Sequence, residues 1–140
     1  MGGKTEFNIM KLLTYKQLTE QSQEVIDNVN KCFENYLADD IVQLNSQARD
    51  VEGWYGNVLF LLPQAEYYYR RKQQVSLKDL IASSEKRPTE YDKEIFINSE
   101  VAEERSLRDT LKNMSESIKQ RISLCQTILK SNTMDRGIHE

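Results

Sequence analysis

Turn-forming residues are scarce. Five Gly and two Pro in 140 residues leave too few corners for a sandwich or barrel of short strands. One His and two Cys fall short of the four ligands that a common structural zinc site takes at short spacings. Cys32 and Cys125 are far apart in the chain and both fall on apolar helical faces, so they read as small core residues rather than a redox pair. There is no run of about 18 apolar residues to cross a bilayer. The short apolar piece near the start is broken by Lys11, which does not suit a signal peptide, and the expected location is the cytoplasm. Gly3-Lys4-Thr5 looks like the end of a phosphate-binding loop, but the earlier Gly and the preceding strand of that motif have no room there. Position 6 is Glu, where myristoylation wants Ser or Thr.

Charge is plentiful. Asp, Glu, Lys and Arg make up 29% of the chain against 39% apolar residues, a balance that favours long solvated helices. The net charge of −3, from 19 basic and 22 acidic side chains, excludes nucleic-acid binding by bulk charge and leaves only a local patch. The length allows one domain, or a protomer that completes its core in an oligomer.

Helical periodicity dominates residues 14–83. Leu18, Val25, Val29, Phe33, Leu37 and Ile41 recur at steps of seven or four. Ile41, Leu44, Ala48, Val51, Tyr55, Val58, Leu62, Ala65 and Tyr69 then alternate steps of three and four, the heptad spacing of a narrow apolar seam. Such a seam calls for a long partner helix from the same chain or another. Asp39-Asp40 could cap a new helix, but no Gly or Pro precedes them, so the spacing predicts one continuous or bent arm over 14–83. Gly53 and Gly56, flanking Trp54-Tyr55, suggest the close approach of another backbone, and Pro63 predicts a kink between Leu59 and Pro63.

The rhythm stops at Ser84, and residues 84–98 read as a polar connection in which Ile95-Phe96-Ile97 is a short, extended apolar piece. A second helix is predicted over 99–132, opened by Glu100, Glu103 and Glu104 and ending before a frayed tail. Its stripe is Leu111, Met114, Ile118, Ile122, Cys125 and Leu129. The expected fold is therefore all-α: one domain over 1–140, a long kinked helix and a shorter C-terminal helix forming a hairpin. Two helices alone bury little, so the C-terminal stripe is expected to meet another protomer in a homo-oligomer.

Basic residues cluster in one place. Residues 66–93 carry seven Lys/Arg against five Asp/Glu, whereas residues 1–65 carry five against nine. Within that segment Tyr67-Tyr68-Tyr69-Arg70-Arg71-Lys72 is followed by Lys78, Lys86 and Arg87. Rings that stack bases beside cations that hold phosphates are what sequence-tolerant single-strand binding requires. The heptad phase places Tyr69 on the seam and Tyr67, Tyr68, Arg70 and Arg71 off it. The same run also reads as a packing cap or subunit interface, because Tyr and Arg both carry apolar surface. An enzyme is not expected. Asp39-Asp40 and Glu103-Glu104 are adjacent on helices and diverge, His139 lies in a tail, and no nucleophile has a base. No cofactor is expected either.

In its order of parts the chain resembles the T4-type phage recombination mediator (UvsY-like) family. The corresponding pieces are the basic, tyrosine-containing stretch of Ala65 to Lys72 with Lys78, the polar connection from Ser84 to Asn98, and the apolar helix from Ser99 to Asn132. The resemblance rests on order and character, and the basic stretch here is shorter and the net charge more acidic than that family's pattern. It implies a ring-like homo-oligomer in a bacterial host cytoplasm that binds single-stranded DNA and helps load a recombinase onto strands covered by single-strand-binding protein. Against it stands a reading from the seam: a helical structural or adaptor protein that binds other proteins and has no nucleic-acid role.

Overall fold

The computed structural model describes residues 11–139. Four helices follow one another, α1 (Tyr15–Glu34), α2 (Ile41–Ser83), α3 (Glu90–Glu100) and α4 (Ala102–His139), with no strand among the described residues. The all-α expectation holds. Among the described residues no helix is long and apolar enough to cross a membrane.

The expected single arm over 14–83 is two helices. Thr14 opens α1 with a capping box, its hydroxyl accepting from the Gln17 N–H and the Gln17 side chain accepting from the Thr14 N–H. Asp40 caps α2 by accepting from the Gln43 N–H. The turn between them needs no Gly or Pro because long-range donors hold it. Arg121 of α4 donates to the carbonyls of Cys32 (3.3 Å) and Asn35 (2.6 Å), and the Gln47 side chain bonds Tyr36 O and Ala38 N–H, each at 2.9 Å. These contacts take up carbonyls and an amide that would otherwise continue a helix.

Helix α2 has 43 residues, about 64 Å at 1.5 Å per residue, and runs through Pro63 without interruption. Pro63 is exposed, so the Leu59 carbonyl left without a donor lies on the solvated side. The antiparallel return is also longer than the sequence predicts. Residues 95–97 are not extended: they belong to α3, opened by a Thr89/Asp92 capping box inside the supposed connection. The C-terminal helix proper begins at Ala102 rather than 99. It reaches His139 rather than ending near 132, since residues 130–136 contain no Gly or Pro. The break between α3 and α4 falls at the buried Val101, where Arg105 donates to the backbone and side-chain oxygens of Asn98 at 3.0 and 3.1 Å.

Packing answers the question of the seam's partner. Val51, Val58, Leu61 and Ala65 of α2 meet Leu18, Val25 and Val29 of α1 and Leu111 and Ile118 of α4 in one core. Leu44, Ala48 and Cys125 form a smaller core at the other end, edged by Leu37, Ile128 and Leu129. Both partners of the seam therefore come from the same chain. The stripe assigned to a second protomer is used here too, a correction of the sequence reading: Leu111, Ile118 and Cys125 are fully buried within the single chain, and Met114, Ile122 and Leu129 pack half-buried beside them. The physical reason is α1, which folds back as a third helix and supplies the surface that a two-helix hairpin lacks. The close approach expected at Gly53 and Gly56 is likewise not made by any described residue. Both are exposed, and a Cβ at either would meet nothing within 4 Å.

Candidate functional site

Consecutive residues on a helix point about 100° apart, so Tyr67, Tyr68 and Tyr69 of α2 have three destinations. Tyr68 turns towards α1, where its ring meets Tyr15 edge-on at 5.4 Å and its hydroxyl donates to the Leu13 carbonyl at 2.5 Å. Tyr69 turns towards α4 and carries the Arg108 guanidinium 4.5 Å over its ring. Tyr67 is left 42% exposed, with its hydroxyl accepting from Arg71 at 3.1 Å and its ring edge-on to Tyr68 at 5.3 Å. Tyr69 thus serves packing, Tyr67 serves the surface, and Tyr68 packs against α1 while staying partly accessible.

The cations are arranged differently. Arg70, Arg71, Lys72, Lys78, Lys86 and Arg87 are all exposed, and none is in an ion pair with a described residue. Arg71 and Lys78 lie seven residues apart on the face that begins with Gln64. Gln64 is buried because the chain entering α1 crosses it: the Leu13 N–H donates to Gln64 Oε1 at 2.7 Å, and Gln64 Nε2 donates to the Phe60 carbonyl at 3.2 Å. Helix α1 starts there and runs back towards Asn35. Beyond Tyr68 it no longer covers α2, and the same face emerges into solvent with Arg71 and Lys78 on it. Lys86 and Arg87 sit farther on, in the link between α2 and α3, and the structure does not bring them to this place.

A shallow pocket of about 240 Å³ lies where α1 begins, lined by Tyr15, Tyr68, Arg71, Lys72, Val75 and Glu104. Three helices contribute. Tyr15 comes from the first turn of α1, Glu104 from the first turn of α4, and the rest from α2. Desolvation raises the Tyr15 phenol above its ordinary range, and the negative charges of Glu103 and Glu104 raise it further, so it stays protonated and able to donate. Glu104 makes no hydrogen bond or ion pair with a described residue, although two cations line the same pocket. The pocket therefore offers an aromatic wall, positive charge on one side and a free carboxylate on the other.

Of the residues singled out in the sequence, Tyr68, Arg71 and Lys72 line this pocket, Tyr67 borders it through Tyr68 and Arg71, and Arg70 and Lys78 stand on the exposed surface of the same helix. Tyr15, Val75 and Glu104 were not foreseen. The Thr14-x-x-Gln17 capping box could have marked Tyr15 as a first-turn residue beside a helix end, but nothing local signals that Val75 and Glu104 face it. Two sites of other chemistry are accounted for. Cys125 is buried in the smaller core and Cys32 is half-buried at the edge of the larger one, and burial raises both thiols above their ordinary range. No cluster of three or more His, Cys, Asp or Glu suited to a metal ion occurs among the described residues.

No family model matches the chain, and neither the curated proteins nor the solved structures contain a match to it.

Proposed function

We propose that this chain is a single-stranded-DNA-binding accessory protein whose contact surface is the C-terminal part of α2, from Tyr67 onward. The observation that carries the reading is a set of cations without an ion pair to any described residue, in an acidic chain: Arg70, Arg71 and Lys72 stand exposed around Tyr67, and Lys78 farther along the same helix, where α1 does not cover α2. Cations without carboxylate partners are free to exchange counterions for phosphates, and an exposed ring beside them adds a sequence-tolerant stacking surface. Arg70, Arg71 and Lys72 spread over about 200° around the helix, which a flexible strand can follow better than a rigid duplex. The resemblance in order of parts to T4-type recombination mediators supports DNA as the polymer. It also supports the finer reading that the protein helps load a recombinase in the presence of a single-strand-binding protein. Self-association through the C-terminal stripe is left out of the reading, because that stripe is buried within the chain.

A salt titration of labelled single strands tests this. Each phosphate contact adds about 0.7 to the steepness of the log–log salt slope for single strands, so Arg70→Ala with Arg71→Ala should weaken binding and reduce the slope by about 1.4. Tyr67→Ala should weaken binding with the slope nearly unchanged, because stacking releases no counterions. Absent or salt-insensitive binding overturns the proposal and leaves the adaptor reading. That second reading has its own observation: Ile81 near the end of α2 and Tyr91 and Ile95 of α3 are exposed apolar side chains, available to a partner protein.

A further inference from the structure

The pocket at the start of α1 pairs features that a plain phosphate-binding surface does not need. A carboxylate beside a phosphate site repels the polymer, yet Glu104 has no hydrogen bond or ion pair to a described residue in the pocket that Arg71 and Lys72 also line. A ligand satisfying all of its walls must bring negative charge to the α2 side, a flat apolar body to Tyr15, Tyr68 and Val75, and hydrogen-bond donors to Glu104. A nucleotide brings all three. Tyr15 and Tyr68 meet at an interplanar angle of 68°, so a planar base that stacks on one ring touches the other by its edge, which sets its orientation. Among the bases, guanine alone presents two adjacent donors, N1–H and the N2 amine, on the edge left open in a single strand. A carboxylate accepts both at once, whereas thymine offers one ring N–H, and adenine and cytosine one amine.

We infer that this pocket is a guanine-selective subsite of the single-strand surface, with Glu104 accepting from the base edge, one of Tyr15 and Tyr68 stacking the base while the other meets its edge, and Arg71 and Lys72 holding its phosphate. The inference rests on the single-strand reading above and adds a base preference to it. A loop or strand passing the start of α1 inserts one guanine there while its flanking phosphates follow Arg71 and Lys78 along α2.

The test measures the affinity of the full chain, by fluorescence anisotropy at one salt concentration, for oligothymidine strands that differ only at a central position. A strand with one central dG should bind about tenfold more tightly than the all-thymidine strand, which corresponds to about 1.4 kcal/mol. A deoxyinosine in its place lacks the N2 amine and should fall between the two. Glu104→Gln should abolish the preference of the dG strand over the all-thymidine strand, since a carboxamide has one acceptor oxygen in place of two. Circular dichroism confirms that this variant keeps its helices, and the deoxyinosine strand tests the same contact on the unaltered protein. Equal affinity for dG, deoxyinosine and thymidine strands, with binding still steeply salt-dependent, overturns the guanine subsite and leaves the single-strand reading standing. No binding to any strand overturns both.

Discussion

Replacing Gly53 and Gly56 of α2 by Ala tests directly whether the solvated face of this helix is free. Both glycines lie in the helix interior, neither has a positive φ, and a methyl at either position has open space. Glycine loses more backbone freedom on folding than alanine, a difference of about 1 kcal/mol at an exposed helical position. The two new methyls meet no common neighbour, so the double variant should gain about 2 kcal/mol. For a chain of this size the gain raises the midpoint of thermal unfolding by roughly 5–10 °C. Thermal denaturation followed by circular dichroism, at several protein concentrations, reads the shift. A loss of stability, or a midpoint that becomes concentration-dependent only in the wild type, would refute the reasoning. It would mean that another backbone packs on this face, as the glycines first suggest.

Three further outcomes follow from the packing. Ile118 is fully buried between helices of one chain, so Ile118→Ala should cost about 2–5 kcal/mol in denaturant titration, and Ile118→Glu should lose helicity rather than release folded monomers. Retained helicity with a fall in mass by light scattering would instead place Ile118 at a subunit contact. Arg121→Met removes the donor from the Cys32 and Asn35 carbonyls at the end of α1 and should cost about 1–2 kcal/mol, with amide exchange rising first around residues 32–38. Burial raises the thiols of Cys32 and Cys125, so the unfolded chain releases those protons first. Stability should therefore fall as pH rises above about 9, and the fall should be smaller in Cys125→Ala.

Which stretches are helical, and which side of each is buried, was written locally. Leu18, Val25 and Val29 repeat every turn or two, and so do Leu44, Ala48, Val51, Val58 and Ala65. Each of these is buried, because a helix presents residues three, four and seven apart to the same neighbour whatever that neighbour is. The basic run was legible locally too: consecutive cations off the apolar seam stay exposed. The neighbour itself was not legible. Ile118 and Cys125 have the same apolar spacing whether they face α2 of their own chain or a second protomer, and only the return of α1 decides it.

The ends of the helices were harder still. The turn at 35–40 depends on Arg121 and Gln47, the first of them more than 80 residues away, and the break at Val101 on Arg105 reaching back to Asn98. The fates of Tyr67, Tyr68 and Tyr69 diverge because adjacent residues point about 100° apart, so only the placement of α1 and α4 separates a surface ring from two packed ones. Helical periodicity is a property of the backbone over a few residues, and the sequence by itself determined it here. The assembly of Tyr15, Arg71, Lys72 and Glu104 around one pocket depends on where three helices begin and end relative to one another, and the tertiary structure alone decided that.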